Sequence, residues 1–265
     1  MGKEVILSLK NITKKFGALV ALDDVSLDLY KNEVLALVGD NGAGKSTLIK
    51  IISGAIIQNR GEIYLKGRKV DFASPIEAKR AGIETVYQDL ALVDSLNVAN
   101  NLFLGREEKV SVLGGTLKFL RHRYMEKRSK EILDTLGITI PNIREQVKFL
   151  SGGQRQSIAV AKAAAFGKNI IILDEPTAAL AVKEVGHILE LVKKCKEEGI
   201  SIIIITHNLE HAFMVADRFA VLRVGKKVGE RLAEDTDIDE IVKLITGGTL
   251  VKNGKDGSER KIVNA

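Results

Sequence analysis

The chain has 265 residues, a formal net charge of +6, and 45% hydrophobic and 28% charged residues, so it can bury a sizeable core and is too apolar for wholesale disorder. Its single cysteine, Cys195, excludes an internal disulfide framework, and no apolar run approaches the ~20 residues of a spanning helix. The amino terminus MGKEVILSLK has neither the apolar stretch nor the cleavage site of a signal peptide, so the protein is expected to stay where it is made.

VILSLKNITKKF (5–16) and GALVALDDVSLDLY (17–30) alternate with period two and predict strands, while EVLALVG (33–39) predicts an apolar strand running into a glycine-rich turn. KSTLIKIISG (45–54) carries helical spacing up to a C-terminus at Gly54. GEIYLKGRKV (61–70) predicts a hairpin turning at Lys66 and Gly67. From about 90 to 165 the pattern predicts mainly helix, as expected of an inserted helical subdomain. Strand-length runs return at NIIILDE (169–175) and GISIIIITH (199–207), separated by the helical VKEVGHILELVKKCKEEG. This βαβ alternation predicts a largely parallel sheet with helices on its faces. Residues 251–265 are polar and unpatterned, as in a loose tail.

The densest basic stretch is KFLRHRYMEKRSK (118–130), but elsewhere acidic and basic residues are interspersed and no aromatic and basic stacking pattern occurs. A solvated basic helix is the better reading, and nucleic acid is not an expected partner. Nucleotide phosphates or anionic lipid headgroups also suit a mild positive field.

GDNGAGKST (39–47) satisfies G-x-x-x-x-G-K-[ST] in the required context of strand, turn and helix. Gly39, Gly42 and Gly44 let the backbone bend around phosphate oxygens together with Asp40, Asn41 and Ala43, and the helix from Lys45 points its positive end at them. Lys45 is expected to reach the β and γ phosphates of a nucleotide, with Ser46 on Mg²⁺ and Thr47 beside it. IIILDEP (170–176) delivers two carboxylates to the carboxyl end of a strand, where ligands of open α/β sheets bind. Asp174 suits the magnesium, and Glu175 suits the water that attacks the γ phosphate.

With LSGGQRQ (150–156) between them, these motifs resemble the ATPase subunit of an ABC transporter over essentially the whole chain to about residue 248. VYQDLALVDSLNVANNLFLG (86–105) and KLITGG (243–248) further resemble the monosaccharide-importer branch, the ribose, xylose and fructose type. The resemblance implies an α/β fold: a P-loop NTPase (RecA-like) core with a parallel sheet, an antiparallel β subdomain and an inserted α-helical subdomain, in one ABC domain over 1–250. It implies an ATP-hydrolysing subunit, peripheral at the cytoplasmic face of the membrane, that drives sugar import through a separate permease. That permease would contact residues around 86–105, and a periplasmic or extracellular sugar-binding protein would be an indirect partner.

Residue by residue, Phe16 matches the aromatic that stacks on adenine, although the residue alone also reads as a core Phe. Gln88 matches the glutamine at Mg²⁺ and the attacking water, and His207 the histidine that contacts the γ phosphate and positions the catalytic glutamate. Ser151, Gly152, Gly153 and Gln154 match the signature that meets the γ phosphate held by a partner subunit, making a homodimer or heterodimer part of the site. His207 and His211 are spaced like a zinc pair, but HNLEH is not H-E-x-x-H and no third ligand cluster is near in sequence.

Two departures stand out. Ala181 occupies the place of a common family aspartate, which puts contacts across the dimer in question. The chain also carries one ATPase domain where this branch often fuses two. The other classes weighed are a soluble ABC ATPase acting on nucleic acid or ribosomes, for which no heptad region, second ATPase domain or stacking-rich basic surface appears, and a GTPase or small-molecule kinase, for which no N-K-x-D occurs and LSGGQRQ would go unexplained.

Overall fold

The computed structural model describes residues 4–112, 117–167 and 169–248; the expected tail at 251–265 lies outside them. In chain order, the strands β1 (Val5–Phe16), β2 (Leu19–Tyr30) and β3 (Val34–Val38) precede α1 (Lys45–Ile52), β4 (Arg60–Leu65), β5 (Arg68–Val70), α2 (Pro75–Arg80) and β6 (Ile83–Val86). Then come α3 (Val98–Leu102), β7 (Lys109–Val112), β8 (Leu117–Leu120), α4 (His122–Thr135), α5 (Gly152–Phe166) and β9 (Ile170–Asp174). The chain continues with α6 (Val182–Glu197), β10 (Ser201–Ile205), α7 (Leu209–Phe213), β11 (Arg218–Arg223), β12 (Lys226–Leu232) and α8 (Ile238–Thr246).

A six-stranded sheet runs β12-β11-β3-β10-β9-β6, parallel throughout except for the antiparallel edge strand β12. Its central strands read as unbroken apolar runs because both faces are covered. Strand alternation sends Val34, Ala36, Ile171, Leu173, Ile202 and Ile204 into one core with residues of α4, α5 and α6. Leu35, Leu37, Ile170, Ile172, Ile203 and Ile205 enter a second core with α1 and the four-stranded antiparallel sheet β2-β1-β4-β5. Cys195 lies in the first core, and burial pushes its thiol up to about 12.

The expected hairpin forms with Lys66 and Gly67 both at positive φ (51° and 74°), the two-residue turn whose twist matches its strands. Gly54 ends α1 as expected, at φ 70°, where a Cβ would meet the Ser74 carbonyl oxygen at 2.6 Å. The segment from 90 to 165 holds α3, α4 and most of α5 but is less helical than expected, because β7 and β8 pair antiparallel within it. KVSV alternates polar with apolar residues over only four positions and LKFL over only its first three, a period that a longer helical window averages away.

The antiparallel sheet is tied to the core by a buried ion pair. Arg218 of β11 donates from Nε to Glu33 Oε1 (2.7 Å) and from a terminal nitrogen to Glu33 Oε2 (2.8 Å) and to the Asp28 carbonyl (2.6 Å). The guanidinium also stacks 4.8 Å from the Tyr30 ring. Arg218→Ala would strand the Glu33 carboxylate in the interior, so urea unfolding is expected to show a loss of about 3–5 kcal/mol. Adding Glu33→Ala is expected to restore part of that loss.

Candidate nucleotide site

Parallel strands deliver their carboxyl ends to one edge of the sheet, and the registers Ile205↔Leu37, Ile205↔Asp174 and Val86↔Leu173 put the ends of β3, β10, β9 and β6 level. From those ends leave the loop 39–44, His207, the pair Asp174 and Glu175, and Gln88. Residues more than a hundred positions apart thus meet at a single crest, as the sequence motifs required.

Behind β3 the loop bends through Gly39 (φ 150°), Gly42 (φ 80°) and Gly44 (φ 104°) into α1. A Cβ on Gly39 would lie 2.1 Å from the Leu222 carbonyl oxygen, and one on Gly44 would lie 2.8 Å from that of Ala21. Ala43 is buried and bonded at both backbone groups, its N–H to the Asp40 carbonyl (3.1 Å) and its carbonyl to the Gly225 N–H (3.1 Å). Asp40, Asn41, Gly42 and Ser46 are exposed and Thr47 is half-buried. The N–H groups opening α1 have no intrahelical acceptor, so the loop presents a backbone cradle for an anion.

Lys45 is buried and curls over this loop, donating from Nζ to the carbonyls of Gly39 (2.6 Å) and Asp40 (3.0 Å). Burial holds its ammonium below the ordinary lysine range, against the pull of Glu175, Asp40 and Asp174. Asp174 ends β9 with its carboxyl pushed up by burial and by neighbouring Glu175, Lys45 opposing. Glu175 leaves the strand at φ 52°, with its N–H bonded to the Ile205 carbonyl (2.9 Å). Its Oε2 is buried and receives no directed hydrogen bond, although His207 Nδ1 approaches to 2.9 Å.

His207 is largely exposed apart from this contact, and His211 turns elsewhere, its Nδ1 lying 3.0 Å from Thr177 Oγ1. The two histidines serve different partners, and the described residues contain no cluster of three His, Cys, Asp or Glu fit for a metal. Gln88 is exposed two residues beyond β6. Phe16 is 48% exposed at the end of β1, which rules out a core role, and Lys14 Nζ stands 5.1 Å from its ring.

Ser151 caps α5, accepting from the Gln154 N–H (3.2 Å), while Gln154 Oε1 reaches back to the Ser151 N–H (3.0 Å). The Gln154 side chain is therefore engaged in the cap. Among the described residues no hydrogen bond links Ser151, Gly152 or Gly153 to the phosphate loop of the same chain. Sequence reasoning missed two contacts. Glu184 accepts from both Ser151 Oγ and the Gly153 N–H. Its place third in α6 is that of a capping-box glutamate, but the [ST]-x-x-E signal is broken because the capping residue is Ala181. Arg155 of α5 pairs with Asp94, a contact across 61 positions that leaves no local trace.

The sequence pattern of the ABC transporter family matches residues 22–178. A fructose import ATP-binding protein of Rhizobium meliloti is 47% identical, over 93% of this chain and 96% of its own. A xylose/arabinose import ATP-binding protein of Sulfolobus acidocaldarius is also 47% identical, with the same coverage. A ribose import ATP-binding protein of Rubrobacter xylanophilus is 41% identical over 92% of this chain, which spans 48% of that relative. Among solved structures, an ATP-binding cassette of an ABC transporter in its ADP conformation aligns with TM-score 0.79 and 27% identity, over 92% of this chain and 99% of that one. A dimeric cassette in a post-hydrolysis state bound to ADP and Pi aligns with TM-score 0.71 and 29% identity, over 86% and 99%. The chain belongs to the ABC transporter family, as one of its ATP-binding cassettes.

Proposed function

We propose that the chain hydrolyses ATP to drive import of a monosaccharide through a separate permease, to which it binds at the cytoplasmic face of the membrane. The observation that carries the hydrolytic reading is the convergence of a glycine cradle, Lys45, Glu175 and His207 on one sheet edge. Similarity to the fructose and xylose/arabinose import proteins over nearly their whole length supports the substrate class. No described helix is long and apolar enough to cross a membrane, in keeping with a permease carried by another chain.

Phosphoryl transfer to water needs positioning and charge neutralisation more than covalent help. Lys45 exchanges its bonds to Gly39 and Asp40 for oxygens of the β and γ phosphates, while the N–H groups opening α1 hold the phosphates from below. Phe16, exposed beside the cationic Lys14, takes the purine face. Glu175 Oε2, buried and lacking a directed partner, is suited to accept a hydrogen bond from the attacking water, and His207 fixes that carboxylate from 2.9 Å. Ser46 in α1, Asp174 at the end of β9 and Gln88 just beyond β6 are oxygen donors of the kind Mg²⁺ takes, a few from the protein together with water and phosphate. When bound, that ion neutralises charge on the β and γ phosphates.

Two copies, or this chain and a similar one, face each other so that Ser151, Gly152 and Gly153 of one close on the γ phosphate of the other. The exposed start of the 15-residue α5 and the likeness to a dimeric cassette support this. Residues 86–105 meet the permease. Within them Asn101 is wholly buried and ties down the preceding loop through Val93 N–H (2.7 Å) and the carbonyls of Val93, Leu96 and Asn97, and the pairing of Asp94 with Arg155 links that loop to the signature helix. We assign 1–250 to one ABC domain with a helical insertion at about 90–165.

Purification of the complex from its native membrane is expected to yield a permease and a sugar. Nucleic-acid-stimulated hydrolysis with no permease would instead favour a soluble ABC ATPase. Glu175→Gln is expected to bind ATP but hydrolyse it at least ~10²-fold more slowly in a steady-state assay. Mixing a Lys45→Ala chain with a Ser151→Ala chain is expected to recover hydrolysis through one intact composite site per mixed dimer, and no recovery in a sample shown to contain such dimers would refute action across the interface. Because burial and Glu175 disfavour the charged Asp174, Asp174→Asn is expected to raise the thermal midpoint without nucleotide by about 2 °C while abolishing Mg²⁺-dependent turnover.

A further inference from the structure

At the start of α5 an acidic side chain of the same subunit already occupies the donors of the signature. Glu184 Oε1 accepts from Ser151 Oγ (2.9 Å) and from the Gly153 N–H (3.2 Å), and Oε2 accepts from the Ala181 N–H (3.3 Å). The approach is close enough that a Cβ on Gly153 would lie 2.7 Å from the Glu184 carboxyl carbon. These three donors hold the carboxylate below its usual range, Ser151 contributing most.

A serine hydroxyl has one hydrogen. While Ser151 gives it to Glu184 and accepts from the Gln154 N–H, it has none left for a phosphate oxygen. The Gly153 N–H is likewise engaged. An incoming γ phosphate and the Glu184 carboxylate therefore compete, as two anions, for the same two donors. Glu184 Oε2 meanwhile holds the backbone at Ala181, where the turn that leaves β9 through Glu175 enters α6. One carboxylate bridges the signature and the far end of the turn that carries the catalytic glutamate.

We propose that Glu184 is a positioning residue of the composite site: it holds the Ser151 hydroxyl and the Gly153 N–H in the separated subunit, surrenders them to the partner's γ phosphate on closure, and so frees the turn that begins at Glu175. This rests on the reading that Ser151 acts across the dimer. It also gives the position of Ala181, whose methyl offers the interface no hydrogen bond, a link to the signature through its backbone.

The test is ATP-driven dimerisation of the full chain carrying Glu175→Gln, followed by sedimentation velocity, with thermal unfolding in parallel. Adding Glu184→Gln, which keeps the shape and removes the charge, is expected to lower the ATP concentration for half-dimerisation roughly fivefold, because a charged acceptor outcompetes a neutral one. Glu184→Ala, which removes both acceptors, is expected to move it the same way, and Ser151→Ala is expected to erase the shift. A residue that only caps α6 would lower the melting temperature without favouring the dimer. Half-dimerisation at the same or higher ATP in both Glu184 variants would overturn the proposal. Failure of the Glu175→Gln chain to dimerise with ATP, or indifference of its dimer to Ser151→Ala, would instead remove the composite site on which the proposal rests, and the proposal with it.

Discussion

The fold turns on how closely the loop after β3 approaches its neighbours. To aim N–H groups at a phosphate, the backbone at Gly39 and Gly44 runs against the carbonyls of Leu222 and Ala21, where no side chain fits. That contact binds the loop to β11 on one side and to β2 of the antiparallel sheet on the other. The order β11-β3-β10 and the packing of the second sheet over α1 are thus also requirements of the cradle. The buried pair Arg218 and Glu33 fastens the same two sheets at the opposite end of the strands.

Around this fixed loop the charges are arranged at some cost. Lys45 and Asp174 are both disfavoured as ions by burial, and each relieves the other only in part. Glu175 is held at positive φ with a buried oxygen that receives no directed hydrogen bond among the described residues, His207 Nδ1 standing 2.9 Å away. Strain and unmet polarity gathered at one crest of the sheet belong to a site shaped for a ligand, since the same residues packed for stability alone would be neutral or exposed.

Much of this was legible in the sequence because its signals are local. GDNGAGKST names its own turn, IIILDE its own strand end, and Lys66-Gly67 its own hairpin. Phe16 was ambiguous because an aromatic in an alternating strand reads the same on either face, and exposure resolved it. The hairpin of β7 and β8 was hidden by its shortness within a helical stretch. Glu184 with Ser151 and Arg155 with Asp94 were invisible because each joins elements that only the tertiary fold brings together. The alanine at 181 drew attention to the right place for a different reason: the missing aspartate pointed to the interface, whereas the structure shows a backbone N–H held from within the subunit.

Cys195 has a further consequence. The chain's one thiol, on the core-facing side of α6, is sealed from solvent and resists ionisation, so it offers oxidants and alkylating reagents almost no thiolate. A transporter built with this subunit would owe any sensitivity to thiol reagents to its other chains. A cysteine placed at a chosen surface position would then be the sole reactive thiol of the subunit, a ready point for attaching a probe without first stripping the native residue.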